Sequence, residues 1–171
     1  MKAFFIDRYK KNGGVRVGEM PEPEIREDDV LVQIHAAGVN LLDSKIRDGE
    51  FKLILPYHLP LILGNDVAGV VVRVGSRVRR FKPGDEVYAR PDTDRIGAFA
   101  EFISINEDAV AIKPKELTME EAASIPLVGL TAWQVLIERA NLKKGQKILI
   151  HAGSGGVGTL QFSWRSMLGR L

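Results

Sequence analysis

No cysteine occurs anywhere in the 171 residues, which excludes disulfides and thiolate-bound zinc together. Long apolar runs are missing as well. The start, MKAFFIDRYKKNGG, carries only Ala3 to Ile6 before charge returns, too short for a secretory signal or a membrane span. Neither sign of charge dominates: 24 basic and 22 acidic residues leave a net +2 and no strong field for nucleic acid or membrane. The basic group Arg73, Arg77, Arg79, Arg80 and Lys82 falls around a turn without an aromatic stacking platform, and reads as a solvated face. These absences leave a soluble cytoplasmic protein as the expectation, with a small molecule rather than nucleic acid or membrane as its partner.

What is present fits one real core. At 45% hydrophobic content, 171 residues support one full domain and a remnant, not two domains of ordinary size. The first hundred or so residues alternate short apolar runs with turn residues, the pattern of a barrel or sandwich. In DDVLVQIHAAGVN, Val30, Val32 and Ile34 share one parity. In LGNDVAGVVVRVG, Val70, Val72 and Val74 are expected on one face, followed by turns at Gly75-Ser76 and Pro83-Gly84-Asp85.

After Pro114 the texture changes. Thr118 and Glu121 match a capping box, so a short helix is expected from Met119. Ile125-Pro126 interrupts it, and a second helix is expected over Leu127 to Arg139. NLKKGQ makes a turn, Lys147 to His151 a short buried strand, and Gly153, Gly155 and Gly158 a G-x-G-x-x-G turn. Glycines are needed in such a turn because any Cβ would block a pyrophosphate from the main-chain amides. An ordinary glycine-rich loop is the bland alternative, and the preceding strand raises the functional reading beside it.

The stretches AAGVNLLDSKIRDG, LILGNDVAGVVVRVG, KPGDEVYA, GAFAEF, LTMEEAASIPLVGLTAWQVL and HAGSGGVG resemble, in order and spacing, the medium-chain dehydrogenase/reductase superfamily. The likeness is to its zinc-independent quinone oxidoreductases and enone reductases, over residues 1 to about 159. It implies a mainly β fold: a GroES-like β-barrel domain over 1–118, then the truncated start of an NADP(H)-binding Rossmann α/β domain over 119–171. That start comprises helix, strand and glycine turn.

The resemblance also implies roles. The zinc branch places Cys after the Gly-Val pair and His-Glu further on; here Asn40 and Asn65-Asp66 stand there, so no metal ligand is expected. His35, His58 and His151 have no metal-like spacing. By resemblance Asn40 lines the nicotinamide cleft and Thr131 meets the cofactor's ribose or carboxamide. Gly153, Gly155, Gly156, Val157 and Gly158 would hold the pyrophosphate. Lys45 stands where many quinone reductases carry Tyr, and would offer a proton or cation to a developing enolate. The plain alternatives are a turn residue for Asn40 and a solvated cation for Lys45.

A Rossmann domain needs roughly a hundred residues beyond its glycine turn, and here thirteen follow Gly158. Past Thr159 the likeness stops, where the superfamily carries an amphipathic helix such as TFAIQLAKHAGAT. With suitable synonymous codons, one T inserted after ACTTT restores that sequence. The tail 160–171 is therefore expected to be the out-of-frame product of a single-base deletion; a deliberately shortened gene is the other explanation. The chain alone would then be inactive, binding NADPH weakly or not at all. It would also self-associate through the unfinished Rossmann segment, where Leu127, Leu130, Trp133, Val135, Leu136 and Ile137 lack cover. Two function classes stay open: a reductase, or a non-catalytic barrel serving as a binding or assembly module.

Overall fold

The computed structural model describes residues 1–168, and the chain divides into two compact units, the first Met1–Ser124 and the second beginning at Ile125. Residues 169–171, the end of the tail expected to be out of frame, lie outside the described residues.

Every named strand pairing in the first unit is antiparallel. Strands β1 (Lys2–Ile6), β2 (Arg16–Glu19), β3 (Asp29–Gly38), β4 (Leu61–Ile62), β5 (Asp66–Val74), β6 (Glu86–Ala89), β7 (Phe102–Asn106) and β8 (Val110–Ile112) form two sheets. Their orders are β2-β1-β4 and β7-β3-β5-β6-β8. Helix α1 (Leu41–Asp48) follows β3, and α2 (Met119–Ala123) closes the unit. The core is Val30 and Val32 of β3, Val67 and Val71 of β5, Val87 of β6, Ile103 and Ile105 of β7, and Val110. Burying such a branched set is the main driving force for the curled sheet.

The expected face of β5 is corrected here. Leu31 pairs Arg73 whereas Val32 pairs Val71, so Val72 is an extra residue in the ladder. This bulge reverses parity: Val67 and Val71 face the core before it, Val74 after it, and Val70 and Val72 are only partly buried. A second shift at His35 re-pairs Ala36 with Ala68 and sets Gly38 directly opposite Asp66. Ala68, next to Val67 and so on the opposite face of β5, packs in the small cluster with Ala122 and Ala123 of α2.

The turn cations sit among acids. Arg77 binds Glu27 and Asp28, and Arg80 binds Asp108, as a solvated face would. Deeper in, Arg95 makes a two-pronged bond to the buried Asp29, at 3.0 and 2.6 Å, with Ser104 adding a third donor at 3.0 Å.

In the second unit, α3 spans Pro126–Trp133, with proline in its first turn, where no N–H is missed. It continues as a π-helical turn, Gln134–Arg139, so the helix starts one residue early and widens before the expected end. Helix α4 is Gly156–Leu168, so the tail is helical as far as it is described. The strand expected over Lys147 to His151 does not form: the segment has no strand pairing, and Leu149 is 80% exposed. A strand exists only as part of a ladder, and among the described residues none pairs with it.

Candidate functional site

The residues expected to line a nicotinamide cleft are positioned by the end of β3. Gly38 has no room for a side chain: a Cβ would come 2.5 Å from the Ala123 carbonyl oxygen and 3.0 Å from the Asp66 Cβ. Two residues on, Asn40 is the N-cap of α1 in an extended conformation. Its N–H donates to the Asp43 carboxylate at 2.7 Å, the reciprocal bond of a capping box. Its side-chain amide donates to Asp66 Oδ2 at 2.9 Å and, weakly, to the Gly38 carbonyl at 3.5 Å.

Thus positions 40 and 66, far apart in sequence, meet across the β3–β5 pair. Asn65 joins them from behind, donating from Nδ2 to Asp43 Oδ1 at 2.7 Å, while its own Oδ1 is buried without a partner. Asp43, Asn65 and Asp66 are all buried. Burial pushes the Asp43 carboxyl above the usual carboxylate range, against the pull of the Asn40 N–H, the Asn65 amide and the Gly64 N–H.

Asp43 is a buried support of Asn40 that the sequence reading did not name. The signal was present: Asn followed three residues later by Asp, immediately after a strand, is a capping pair. Lys45, by contrast, is not gathered into this cluster. Its side chain is 43% exposed and its nearest acid is Glu50, at 3.8 Å. Among the described residues no group of three or more His, Cys, Asp or Glu is placed to hold a metal ion. His35, His58 and His151 are all exposed.

In the second unit the glycine turn opens α4. A Cβ on Gly158 would lie 2.5 Å from the Ala152 carbonyl oxygen and 2.7 Å from the Gly153 Cα, so the turn closes only with glycine there. Gly153 is covered by the Phe162 ring, 2.5 Å from where its Cβ would be. Gly155 is different: its only near neighbour is the Ala152 oxygen at 3.3 Å, and it is exposed with Gly156 at the first turn of the helix. That open, Cβ-free surface beside the N-terminus of a thirteen-residue helix fits a pyrophosphate, which the amides of Gly156, Val157 and Gly158 would hold. Thr131 sits on α3 with its hydroxyl donating to the Leu127 carbonyl at 2.8 Å, which leaves its oxygen as an acceptor.

Residues 26–115 match the alcohol dehydrogenase GroES-like domain family, and the chain belongs to that family. Within the medium-chain dehydrogenase/reductase superfamily its likeness is to quinone and enone reductases. It is 46% identical over 161 residues to 2-methylene-furan-3-one reductase of Solanum lycopersicum, covering 91% of this chain and 40% of that protein. It is 41% identical to the chloroplastic NADPH-dependent alkenal/one oxidoreductase of Arabidopsis thaliana, over 94% of this chain and 43% of that one. The solved quinone oxidoreductase of Coxiella burnetii superposes with a TM-score of 0.89 at 35% identity, over 99% of this chain and 54% of that chain. The chain therefore spans less than half the length of these two curated relatives. No helix among the described residues is long and apolar enough to cross a membrane.

Proposed function

We propose that this chain carries the barrel and the cofactor-gripping turn of an NADPH-dependent oxidoreductase that reduces quinones, enones or related carbonyl compounds without zinc. The observation that carries the reading is the Gly153 to Gly158 turn, closed by glycine contacts yet open at Gly155 beside the N-terminus of α4. NADPH, when bound, supplies the hydride.

The residues do the positioning. The turn amides would hold the pyrophosphate oxygens by hydrogen bonds; by resemblance Asn40 in the first unit and Thr131 in the second each bring a contact to the nicotinamide end. Lys45, half-buried and only loosely tied to Glu50, offers the cation or proton that a developing enolate needs. Zinc independence rests on the donor set: an amide and a carboxylate, Asn40 and Asp66, bond each other at 2.9 Å. Neither a thiolate nor an imidazole is present there. The protein acts in the cytoplasm on a small molecule and self-associates through its second unit.

The second reading is a non-catalytic barrel serving as a binding or assembly module, which the closed valine and isoleucine core of the first unit would support by itself.

The decisive experiment joins residues 1–158 to the remaining cofactor domain of the tomato relative and follows NADPH oxidation with an enone or quinone. Turnover is expected, with Gly155→Trp raising the half-saturating NADPH concentration at least tenfold while the melting temperature stays put. No turnover in a folded chimera, or equal loss of folding and binding in the variant, would sink the reading.

A further inference from the structure

The Asn40 carboxamide has an orientation that its neighbours dictate. Its nitrogen faces two oxygens, Asp66 Oδ2 at 2.9 Å and the Gly38 carbonyl at 3.5 Å. A carboxylate and a main-chain carbonyl both accept and neither donates, so the NH2 end must face inward whichever way the amide is drawn. One hydrogen is thereby held by Asp66 and the other is directed at the Gly38 carbonyl. The oxygen lies toward the Asp43 N–H across the capping box, and that N–H also reaches the Asn40 main-chain carbonyl at 3.0 Å. A shared donor leaves the side-chain oxygen with an unused lone pair, and Asn40 is only partly buried.

We infer that Asp66 is a positioning residue that locks Asn40 so that it meets a ligand only through its oxygen, as a hydrogen-bond acceptor. The inference rests on the reading of Asn40 as ligand-facing. It narrows the chemistry of that contact: Asn40 recognises an N–H or O–H donor, such as the carboxamide of a reduced nicotinamide. It does not stabilise an oxygen gaining negative charge, which would need the hydrogens that Asp66 and Gly38 already hold. That task falls to another donor.

The buried setting makes the lock firm. Asp66 starts β5 and is paired in register with Gly38, whose close approach to the Asp66 Cβ leaves the carboxylate little freedom. Asp43 fixes the other end of the same residue by accepting the Asn40 N–H.

The test uses the whole 171-residue chain, labelled with 15N, in two arms. Without ligand, the two Asn40 side-chain amide protons should be shifted from the free-amide position and exchange at least tenfold more slowly than those of an exposed asparagine. Asp66→Leu should abolish both signatures. Should that variant fail to fold, the reversed pair answers the same question. Asn40→Asp sets carboxylate against carboxylate and should lower the melting temperature, and adding Asp66→Asn should restore it. Free-amide behaviour in the native chain, or no rescue by the reversed pair, overturns the lock.

With ligand, reduced nicotinamide mononucleotide at millimolar concentration should shift the Asn40 signals, and its 3-acetyl analogue, which lacks the donor NH2, should do so at least fivefold less. Equal response to both overturns the acceptor role. Response to neither, in residues 38–45, removes the ligand-facing reading and the acceptor role with it, while the first arm still decides the lock.

Discussion

Replacing Arg95 by methionine tests the clamp that fixes the start of β3, the strand that ends at Gly38 and leads to Asn40. Asp29 is 1% exposed and Arg95 20%, so the pair is largely out of water. Both Asp29 oxygens are held by the guanidinium, at 3.0 and 2.6 Å, with the Arg26 N–H at 3.1 Å and Ser104 at 3.0 Å in support. Removing one partner of such a pair costs about 3–5 kcal/mol, because the other charge stays buried. Partial exposure of Arg95 and the two remaining neutral donors argue for the lower end, ~3 kcal/mol, or about 10 °C in melting temperature for a unit of this size.

The pH dependence supplies the sharper check. Burial pushes Asp29 up, but the Arg95 bond, the Arg26 N–H and the Ser104 hydroxyl together carry it below the usual aspartate value. A folded-state value below the unfolded one adds stability that is complete above the unfolded value, about 3.9. That stability is lost as pH falls through the folded one. Without Arg95 the burial penalty wins and Asp29 rises, so the variant gains nothing from ionisation. The deficit should therefore be full near neutral pH, begin to shrink as pH falls through the raised Asp29 value of the variant, and shrink further as pH drops through the lowered value of the native chain. Urea denaturation followed by circular dichroism at several pH values measures it. A deficit under ~1 kcal/mol, the range of an exposed pair, or one that does not change with pH, would refute the reasoning.

Thr118→Ala should cost the first unit about 1 kcal/mol, since Thr118 and Glu121 cap α2 reciprocally at 3.2 and 2.9 Å; thermal melts of the two proteins decide it. Leu130, Trp133 and Leu149 are each about half exposed or more, so light scattering should find a dimer or larger species. A monodisperse monomer would contradict the association. Elemental analysis of protein purified without added metal should find no stoichiometric zinc, and one zinc per chain would contradict the assignment of Asn40 and Asp66.

Features that depend on neighbours along the chain are legible in the amino-acid sequence alone. The Thr118–Glu121 cap, the helix break at Pro126 and the Pro-Gly-Asp turn each follow from local hydrogen bonding or restricted backbone torsions, and each stands where the residues put it. The barrel class is legible too, because many short apolar runs between turn residues admit few other arrangements. The glycine turn is readable for a similar reason: Gly158 is required by contacts with Ala152 and Gly153, only a few residues away.

What the tertiary structure decided is everything set by a partner distant in the chain. The buried face of β5 holds Val67 and Val71 rather than Val70 and Val72, and the bulge at Val72 brings Val74 onto it, because register is a property of two strands together. Lys147 to His151 has a strand's composition but no strand's structure, since ladder hydrogen bonds need a second segment alongside. Sequence placed Asn40 and Lys45 equally near a site. Only the fold set Asn40 against Asp66 and turned Lys45 out toward Glu50, because α1 has one face for the core and one for water.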